Sequence, residues 1–258
     1  MAITVEEQGT TAIITLDRPE VLNAMDSAAY AAINEALVEL DRDPHLRVGI
    51  ITGSGGRAFS AGADLKLMHG EDAEHEGWGP WRADRWDFGM GCSKPLIAAI
   101  DGYALAGGLE LALACDIRLA THGSQFGAPE VKWNLLHGLG ALRLPDAVGS
   151  SNAMWMLLTG DFIDADEALR IGLVSRLYEP AELMPAALAM AQRIAGNAEE
   201  AVRMTKELAL RGRDATFEQG MRLYKSYFAL LEQSAEQLEG TRAFAEKREP
   251  GYRRNGQT

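Results

Sequence analysis

The sequence predicts an α/β fold in which buried strands alternate with small-residue turns and helices, and in which a helical region completes the chain. Three short apolar runs, at 48–52, 96–100 and 117–120, are typical of buried strands. The first two run into turns that contain glycine, and a helix is predicted near 107–115. Because strand, turn and helix recur in that order, we predict a sheet with helices packed against it.

The N-terminal part predicts an antiparallel strand pair followed by a helix. Residues 2–7 and 12–16 are rich in β-formers and are separated by Gly9. Asp26 is placed to cap a helix over 27–41, in which apolar residues recur at helical spacing.

Beyond about residue 150 the pattern becomes helical. Four pairs of residues have the spacing of a capping box, namely Asp164 with Glu167, Asn197 with Glu200, Thr216 with Gln219, and Ser234 with Gln237. Gly172 is placed to end the helix that begins near Asp164. We therefore divide the chain into a core over 1–195 and a C-terminal helical region over 196–258, which is an appendage to that core.

Composition excludes several classes of function. The chain has 258 residues and a formal net charge of −12, so its surface repels nucleic acid and anionic lipid. No apolar run approaches the roughly 20 residues of a membrane helix. The N-terminus has no signal- or transit-peptide pattern, and two cysteines, Cys92 and Cys115, form no disulfide framework. We expect a cytoplasmic protein.

One glycine-rich segment resembles a dinucleotide-binding loop but is disfavoured as one. Residues 53–58 follow a strand and fit the G-x-G-x-x-G/A pattern. However, 59–64 continue as loop-like sequence where a helix should run. No acidic residue follows about 20 residues on, where the ribose contact would be needed.

Two other turns are better candidates for binding a ligand. Residues 60–64 and 106–110 each place small residues after a buried strand, and the second turn begins the helix near 107–115. Small residues let a ligand approach the backbone, and the first N–H groups of a helix have no partner within the helix. Two such N–H groups that meet at one oxygen would form an oxyanion hole. The alternative is a pair of tight turns in a packed core.

Two glutamates stand out because their neighbours are apolar. Glu110 lies within 108–114, and Glu130 follows 126–129. A carboxylate in apolar surroundings needs a partner, so each is either half of a structural ion pair or a functional acid or base. A pair of carboxylates on opposite sides of a substrate suits simultaneous activation of water and donation of a proton.

Several segments together resemble one enzyme family. They are 58–65, 94–104, Ala106-Gly107-Gly108-Leu109-Glu110, 115–117 and Phe126-Gly127-Ala128-Pro129-Glu130, with Leu22-Asn23-Ala24-Met25, 158–160, 168–174 and 243–248 extending the match. The chain resembles the crotonase (enoyl-CoA hydratase/isomerase) family over essentially its whole length, and within it is similar to an enoyl-CoA hydratase. The resemblance implies a spiral of ββα units that assembles as trimers or paired trimers.

The resemblance also implies roles for single residues. The backbone amides of Ala63 and Gly107 would hold the thioester oxygen. Glu110 would activate water, and Glu130 would share that task and protonate the α-carbon. The implied contacts of substrate and coenzyme A are Leu22, Ala24, Ala61, Asp64, Leu65, Lys66, Pro129, Gly138, Phe244 and Lys247, the last two often from a neighbouring subunit.

The implied activity is hydration of a trans-2-enoyl-CoA to a 3-hydroxyacyl-CoA. Both acidic positions are occupied, which favours hydration over the other reactions of the family. Coenzyme A would enter as part of the substrate, so no separate cofactor and no metal is predicted. The alternatives are isomerisation, a specialised dehydration, or acyl-CoA binding without catalysis.

Three features depart from the family pattern. His137 replaces a common proline, and it is either a third polar group at the site or, as the favoured interpretation, a side chain at the start of a helix. Glu20 stands where a basic coenzyme contact is common. The segment 69–88 holds two histidines and three tryptophans but matches no common metal-ligand spacing, so we interpret it as a lid or wall of the acyl pocket.

Overall fold

A computed structural model describes residues 2–66 and 91–254. Its strands are β1 (Ile3–Gln8), β2 (Thr11–Leu16), β3 (Val48–Gly53), β4 (Ala58–Ser60), β5 (Leu96–Ile100), β6 (Tyr103–Leu105), β7 (Ile117–Thr121), β8 (Gln125–Gly127), β9 (Phe162–Asp164) and β10 (Arg176–Tyr178). Its α-helices are α1 (Ser27–Arg42), α2 (Gly107–Ala114), α3 (Gly138–Val148), α4 (Ser150–Thr159), α5 (Ala165–Arg170), α6 (Pro180–Ala195), α7 (Glu199–Arg213), α8 (Phe217–Leu231), α9 (Ala235–Ala245) and α10 (Gly251–Arg254). Short 3₁₀ helices cover Pro19–Val21 and Pro129–Trp133.

The strands form two sheets that the chain visits alternately. The larger sheet has the order β1-β2-β3-β5-β7-β10, and the smaller one the order β4-β6-β8-β9. β1 and β2 are antiparallel, as predicted, and β2, β3, β5, β7 and β10 are parallel. Each of β3, β5 and β7 is followed directly by a strand of the smaller sheet. The result is a succession of ββα turns, and the predicted α/β class is confirmed.

Burial explains why the central strands read as continuous apolar runs. Every residue of β5 is fully buried, because helices cover the larger sheet. At the step from β5 to β6, Gly102 has φ +76°, and a Cβ built there would lie 2.1 Å from the carbonyl oxygen of Arg57. Glycine is therefore needed where the chain passes from one sheet to the other.

Local signals place most helix starts correctly. The Asp26 side chain accepts a hydrogen bond from the Ala29 N–H (2.8 Å), and Thr216 forms a complete capping box. The expectation for Asn197 was wrong, because α7 is preceded by Ala198 and has no side-chain cap. The Asn197 N–H instead bonds to the carbonyl of Ile194, in the turn that ends α6.

The C-terminal region is helical, and α7 is anchored on the core by ion pairs. Lys206 contacts Asp116 (2.8 Å), and Arg213 contacts Asp146 (3.2 Å). The helices that follow, α8 and α9, carry exposed apolar side chains, among them Phe217, Phe228, Leu238 and Phe244. The division at residue 195 stays a prediction. None of the described helices has both the length and the apolar character needed to cross a membrane.

Candidate active site

The N-terminus of α2 packs directly on the turn that follows β4. A Cβ built on Gly108 would lie 2.2 Å from the carbonyl oxygen of Ser60, and one on Gly62 would lie 2.8 Å from the backbone nitrogen of Gly107. Ala106, just before the helix, has φ +51°, which is unusual for a residue with a side chain. The two small-residue turns predicted from the sequence therefore meet, and small residues are required for them to do so.

The N–H groups of Ala63 and Gly107 lie beside each other. The neighbours of Ala63 are held by Met25, because the Met25 N–H donates to the Gly62 carbonyl (2.7 Å) and Asp64 donates to Met25 (2.9 Å). Neither the Ala63 nor the Gly107 N–H donates a hydrogen bond within 2–66 and 91–254. A Cβ built on Gly107 would lie 3.6 Å from the Ala63 nitrogen. Two unsatisfied donors thus lie at the positive end of the α2 dipole.

A buried asparagine fixes the turn that supports Ala63. The Asn23 side-chain amide donates to the carbonyls of Ser54 (3.0 Å) and Ala58 (2.7 Å). The Ser60 hydroxyl donates to the carbonyl of Asn23 and accepts from the Gly62 N–H. Sequence reasoning gave Asn23 no role of its own. A polar residue between apolar neighbours was the available signal, because such a residue is buried only when its hydrogen bonds are satisfied.

Four of the residues predicted to contact coenzyme A make two sets of contacts: Arg18 binds Ala24 and Asp64, and Ala61 binds Leu22. The Arg18 guanidinium contacts Asp26 (3.0 Å) and Asp64 (3.1 Å) and donates to the carbonyl of Ala24 (2.9 Å). The Ala61 N–H donates to the carbonyl of Leu22 (3.0 Å). Asp64 is therefore half of an ion pair in this structure, while the exposed Leu65 and Lys66 follow it along the chain.

The two glutamates converge on one histidine. Glu110 lies in the first turn of α2, and Glu130 lies in the 3₁₀ helix Pro129–Trp133. The Nδ1 atom of His137 is 2.7 Å from Oε1 of Glu130 and 4.0 Å from Oε1 of Glu110. The Gly140 N–H donates to the same oxygen of Glu110 (3.4 Å). The pair of carboxylates predicted from the sequence is therefore a spatial pair.

Both carboxyl groups are largely removed from water. The side chains of Glu110 and Glu130 are 14% and 11% exposed. Burial raises the pKa of the Glu110 carboxyl; a positive charge on His137 would oppose the rise, and a negative charge on Glu130 would add to it. Glu110 therefore holds its proton at a higher pH than an exposed glutamate does, which suits a group that exchanges protons.

This shift predicts that E110Q stabilises the fold at neutral pH. The native pKa lies above the unfolded one, so the cost of the buried charge is present above the native pKa and absent below the unfolded pKa. The free energy of unfolding that E110Q gains should therefore increase as the pH rises from the unfolded pKa of Glu110 through its native pKa. Denaturant unfolding at acidic and neutral pH measures it, with the surface variant E182Q as control. Equal stability of E110Q and the parent chain at both pH values would contradict the prediction.

A sequence profile described as Enoyl-CoA hydratase/isomerase matches residues 6–255, nearly the whole chain. The chain belongs to this family. The resemblance identified from the motifs is confirmed.

Individual relatives match this chain over nearly their whole length, and a solved structure has the same fold. It is 39% identical to the (E)-benzylidenesuccinyl-CoA hydratase of Thauera aromatica, over 98% of this chain and 99% of the relative. It is 37% identical to the crotonyl-CoA hydratase of Syntrophomonas wolfei, over 97% of both chains. The crystal structure of the enoyl-CoA hydratase from Bacillus anthracis superposes with a TM-score of 0.90 at 33% identity, over 98% and 99% of the two chains. The predicted crotonase fold is confirmed.

The remaining predicted contacts of this crotonase-family chain occupy different parts of the structure. Pro129 begins the 3₁₀ helix that holds Glu130, and Gly138 begins α3. Phe244 is 88% exposed on α9, and Lys247 follows that helix in the C-terminal region. The predicted acyl-pocket segment 69–88 lies outside the described residues.

His137 is the residue whose position the sequence reasoning misjudged. It does precede α3, and its carbonyl accepts from the Ala141 N–H (3.1 Å). Its side chain, however, is buried and turns to Glu130, so the favoured interpretation as no more than a residue at a helix start was wrong. The available signal was the replacement of a common proline seven positions after an acidic residue.

Proposed function

We propose that this chain adds water to a trans-2-enoyl-CoA and forms the 3-hydroxyacyl-CoA. The observation that supports the proposal most is the convergence of Glu110 and Glu130 on His137. Glu110 lies on α2, and the first N–H group of that helix lies beside that of Ala63. Relatives named as hydratases at similar length favour the same reaction.

The thioester oxygen would bind between the N–H groups of Ala63 and Gly107. Addition of water to the β-carbon places negative charge on that oxygen, because the electron pair of the double bond moves toward the carbonyl. Donors fixed in advance bind the charged oxygen more strongly than the neutral one, and the α2 dipole adds to this effect. The two amides would therefore stabilise the enolate more than the substrate.

The carboxyl groups would move the two protons. Ionised Glu110 takes a proton from water as the oxygen bonds to the β-carbon, and protonated Glu130 gives its proton to the α-carbon. The product gains H and OH, Glu110 ends protonated and Glu130 ends ionised. A proton exchange between the two restores the starting state.

The coenzyme portion would run past Leu22, Ala24 and Ala61, with Lys66 near a phosphate. Because the net charge is −12, phosphate binding needs such local cations. The exposed apolar side chains on α8 and α9 support assembly as a homotrimer or dimer of trimers, in which Phe244 and Lys247 reach a neighbouring site. Coenzyme A is here part of the substrate, and the chemistry requires no other cofactor.

The test is a turnover screen over short, long, branched and aromatic enoyl-CoA thioesters. Hydration removes the conjugated double bond, so the ultraviolet absorbance of the thioester should fall after the enzyme is added, and product analysis should give a 3-hydroxyacyl-CoA. A shifted double bond would indicate an isomerase. Tight calorimetric binding without turnover would indicate an acyl-CoA-binding protein and would overturn the proposal.

A further inference from the structure

The imidazole of His137 is held rigidly against Glu130. The residue is 3% exposed, and a Cβ built on Gly140 would lie 1.8 Å from His137 Nε2, so the ring lies directly on the Gly140 backbone. Nδ1 is 2.7 Å from Glu130 Oε1, while Nε2 is buried and has no hydrogen-bond partner among the described residues. Among the described residues, the one hydrogen bond of the ring is therefore the bond to Glu130.

We propose that His137 is a positioning residue for Glu130: its Nδ1–H donates to Oε1 and thereby keeps the proton that goes to the α-carbon on Oε2. The inference rests on the proposed function, in which Glu130 is the acid. It assigns a role to a position where the family pattern has a common proline.

The two carboxyl oxygens of Glu130 have different surroundings. Oε1 is engaged by His137, whereas Oε2 is buried with no partner in the part of the chain that the structure describes. The carbonyl oxygen of a carboxylic acid is a better acceptor than its hydroxyl oxygen, so a hydrogen bond accepted by Oε1 favours the carboxylic proton on Oε2. A protonated Oε2 has no acceptor among the described residues, so its proton can be given to a substrate carbon that reaches this oxygen.

The hydrogen bond between His137 and Glu130 would change during the proposed reaction. Glu130 is neutral before it protonates the α-carbon and ionised afterwards. A hydrogen bond to an ionised acceptor is roughly twice as strong as one between neutral groups. The His137–Glu130 bond therefore strengthens as the proton leaves, and an interaction that strengthens in the transition state raises the rate.

The surroundings of the two ring nitrogens favour one tautomer of His137. In the other neutral tautomer, the buried Nε2 carries an N–H group that has no acceptor among the described residues. Nδ1 is then an acceptor, so the carboxylic proton of Glu130 would have to lie on Oε1 and not on Oε2. The imidazolium also leaves that N–H unpaired. Among the described residues, the carboxylates within 4 Å of a His137 ring nitrogen are those of Glu130 and Glu110, and the Gly140 backbone of α3 lies against the ring. The Nδ1–H tautomer is therefore favoured.

Two amide variants separate positioning from packing. In H137N the side-chain N–H lies near the position of Nδ1 and can still donate to Glu130, whereas in H137Q the amide lies near the position of Nε2. We expect H137Q to lower kcat about 10- to 100-fold, as the loss of a hydrogen bond to an ionised group predicts. We expect KM to change little, and H137N to recover most of the rate. The exposed variant H45Q is the control for a histidine-to-glutamine change.

A nitrogen NMR spectrum of the histidine-labelled protein tests the tautomer without any turnover, with H137N identifying the His137 signals. The expected result is a protonated Nδ1 and a bare Nε2. A protonated Nε2, or equal losses of kcat in H137N and H137Q, would overturn the inference. If H137Q does not fold, as judged by thermal unfolding, H137N and the spectrum still decide. A parent chain that hydrates no enoyl-CoA would refute the proposed function, whereas an active chain whose H137Q keeps the parent kcat would refute only the role of His137.

Discussion

Replacing Glu110 or Glu130 with glutamine is expected to lower kcat for enoyl-CoA hydration by about 10²–10⁴-fold. Glutamine keeps the size of the side chain and can accept the Gly140 N–H bond at position 110, but it neither takes up nor releases a proton. KM should change less, since the coenzyme portion would bind elsewhere. Steady-state kinetics with the ultraviolet assay measure both constants for each variant.

The double variant E110Q/E130Q sharpens this experiment. Groups that act as a unit lose most of their effect when one is removed, so the double variant should be only slightly slower than the slower single variant. Glu182 is exposed on α6, so E182Q is the matched control and should keep the parent rate. If E110Q and E130Q both hydrate at the parent rate, the acid–base assignment is wrong.

Removing the backbone donor of Gly107 is expected to lower kcat by about 10²–10³-fold, the usual effect of losing one oxyanion-hole donor. Proline lacks an N–H and suits the first position of a helix, but it also restricts the residue before it, and Ala106 has φ +51°, so thermal unfolding must show that α2 remains formed in G107P. The reduced rate would reflect an enolate oxygen held by Ala63 alone. The same absorbance assay measures it, together with thermal unfolding of the variant.

G107A is the necessary control, because a Cβ at this position would lie 2.9 Å from the Tyr30 hydroxyl. Alanine adds that crowding but keeps the N–H. The oxyanion-hole assignment predicts that G107P is much slower than G107A at similar stability. Equal rates in the two variants would assign any loss to crowding and would remove Gly107 from the proposed site.

Local sequence signals account for most of the fold. The predicted strands 48–52, 96–100 and 117–120 differ from β3, β5 and β7 by at most one residue, because a fully buried strand is a continuous apolar run with clear ends. The caps at Asp26 and Thr216 are likewise local interactions. The prediction that Asn197 caps α7 was wrong because Asn197 lies in the turn that ends α6, where its N–H donates to the carbonyl of Ile194.

The candidate site was only partly accessible to such reasoning. Glu110 and Glu130 were recognisable because acidic residues among apolar neighbours are costly, and the turns around Ala63 and Gly107 because their residues are small. The sequence by itself thus determined the fold class, the family and the groups capable of chemistry. Only the tertiary structure decided their neighbours: it pairs Asp64 with Arg18 and seats His137 on Gly140, against Glu130. The physical reason is that a side-chain contact depends on where distant segments cross, whereas spacing along the chain reports only burial and local backbone geometry.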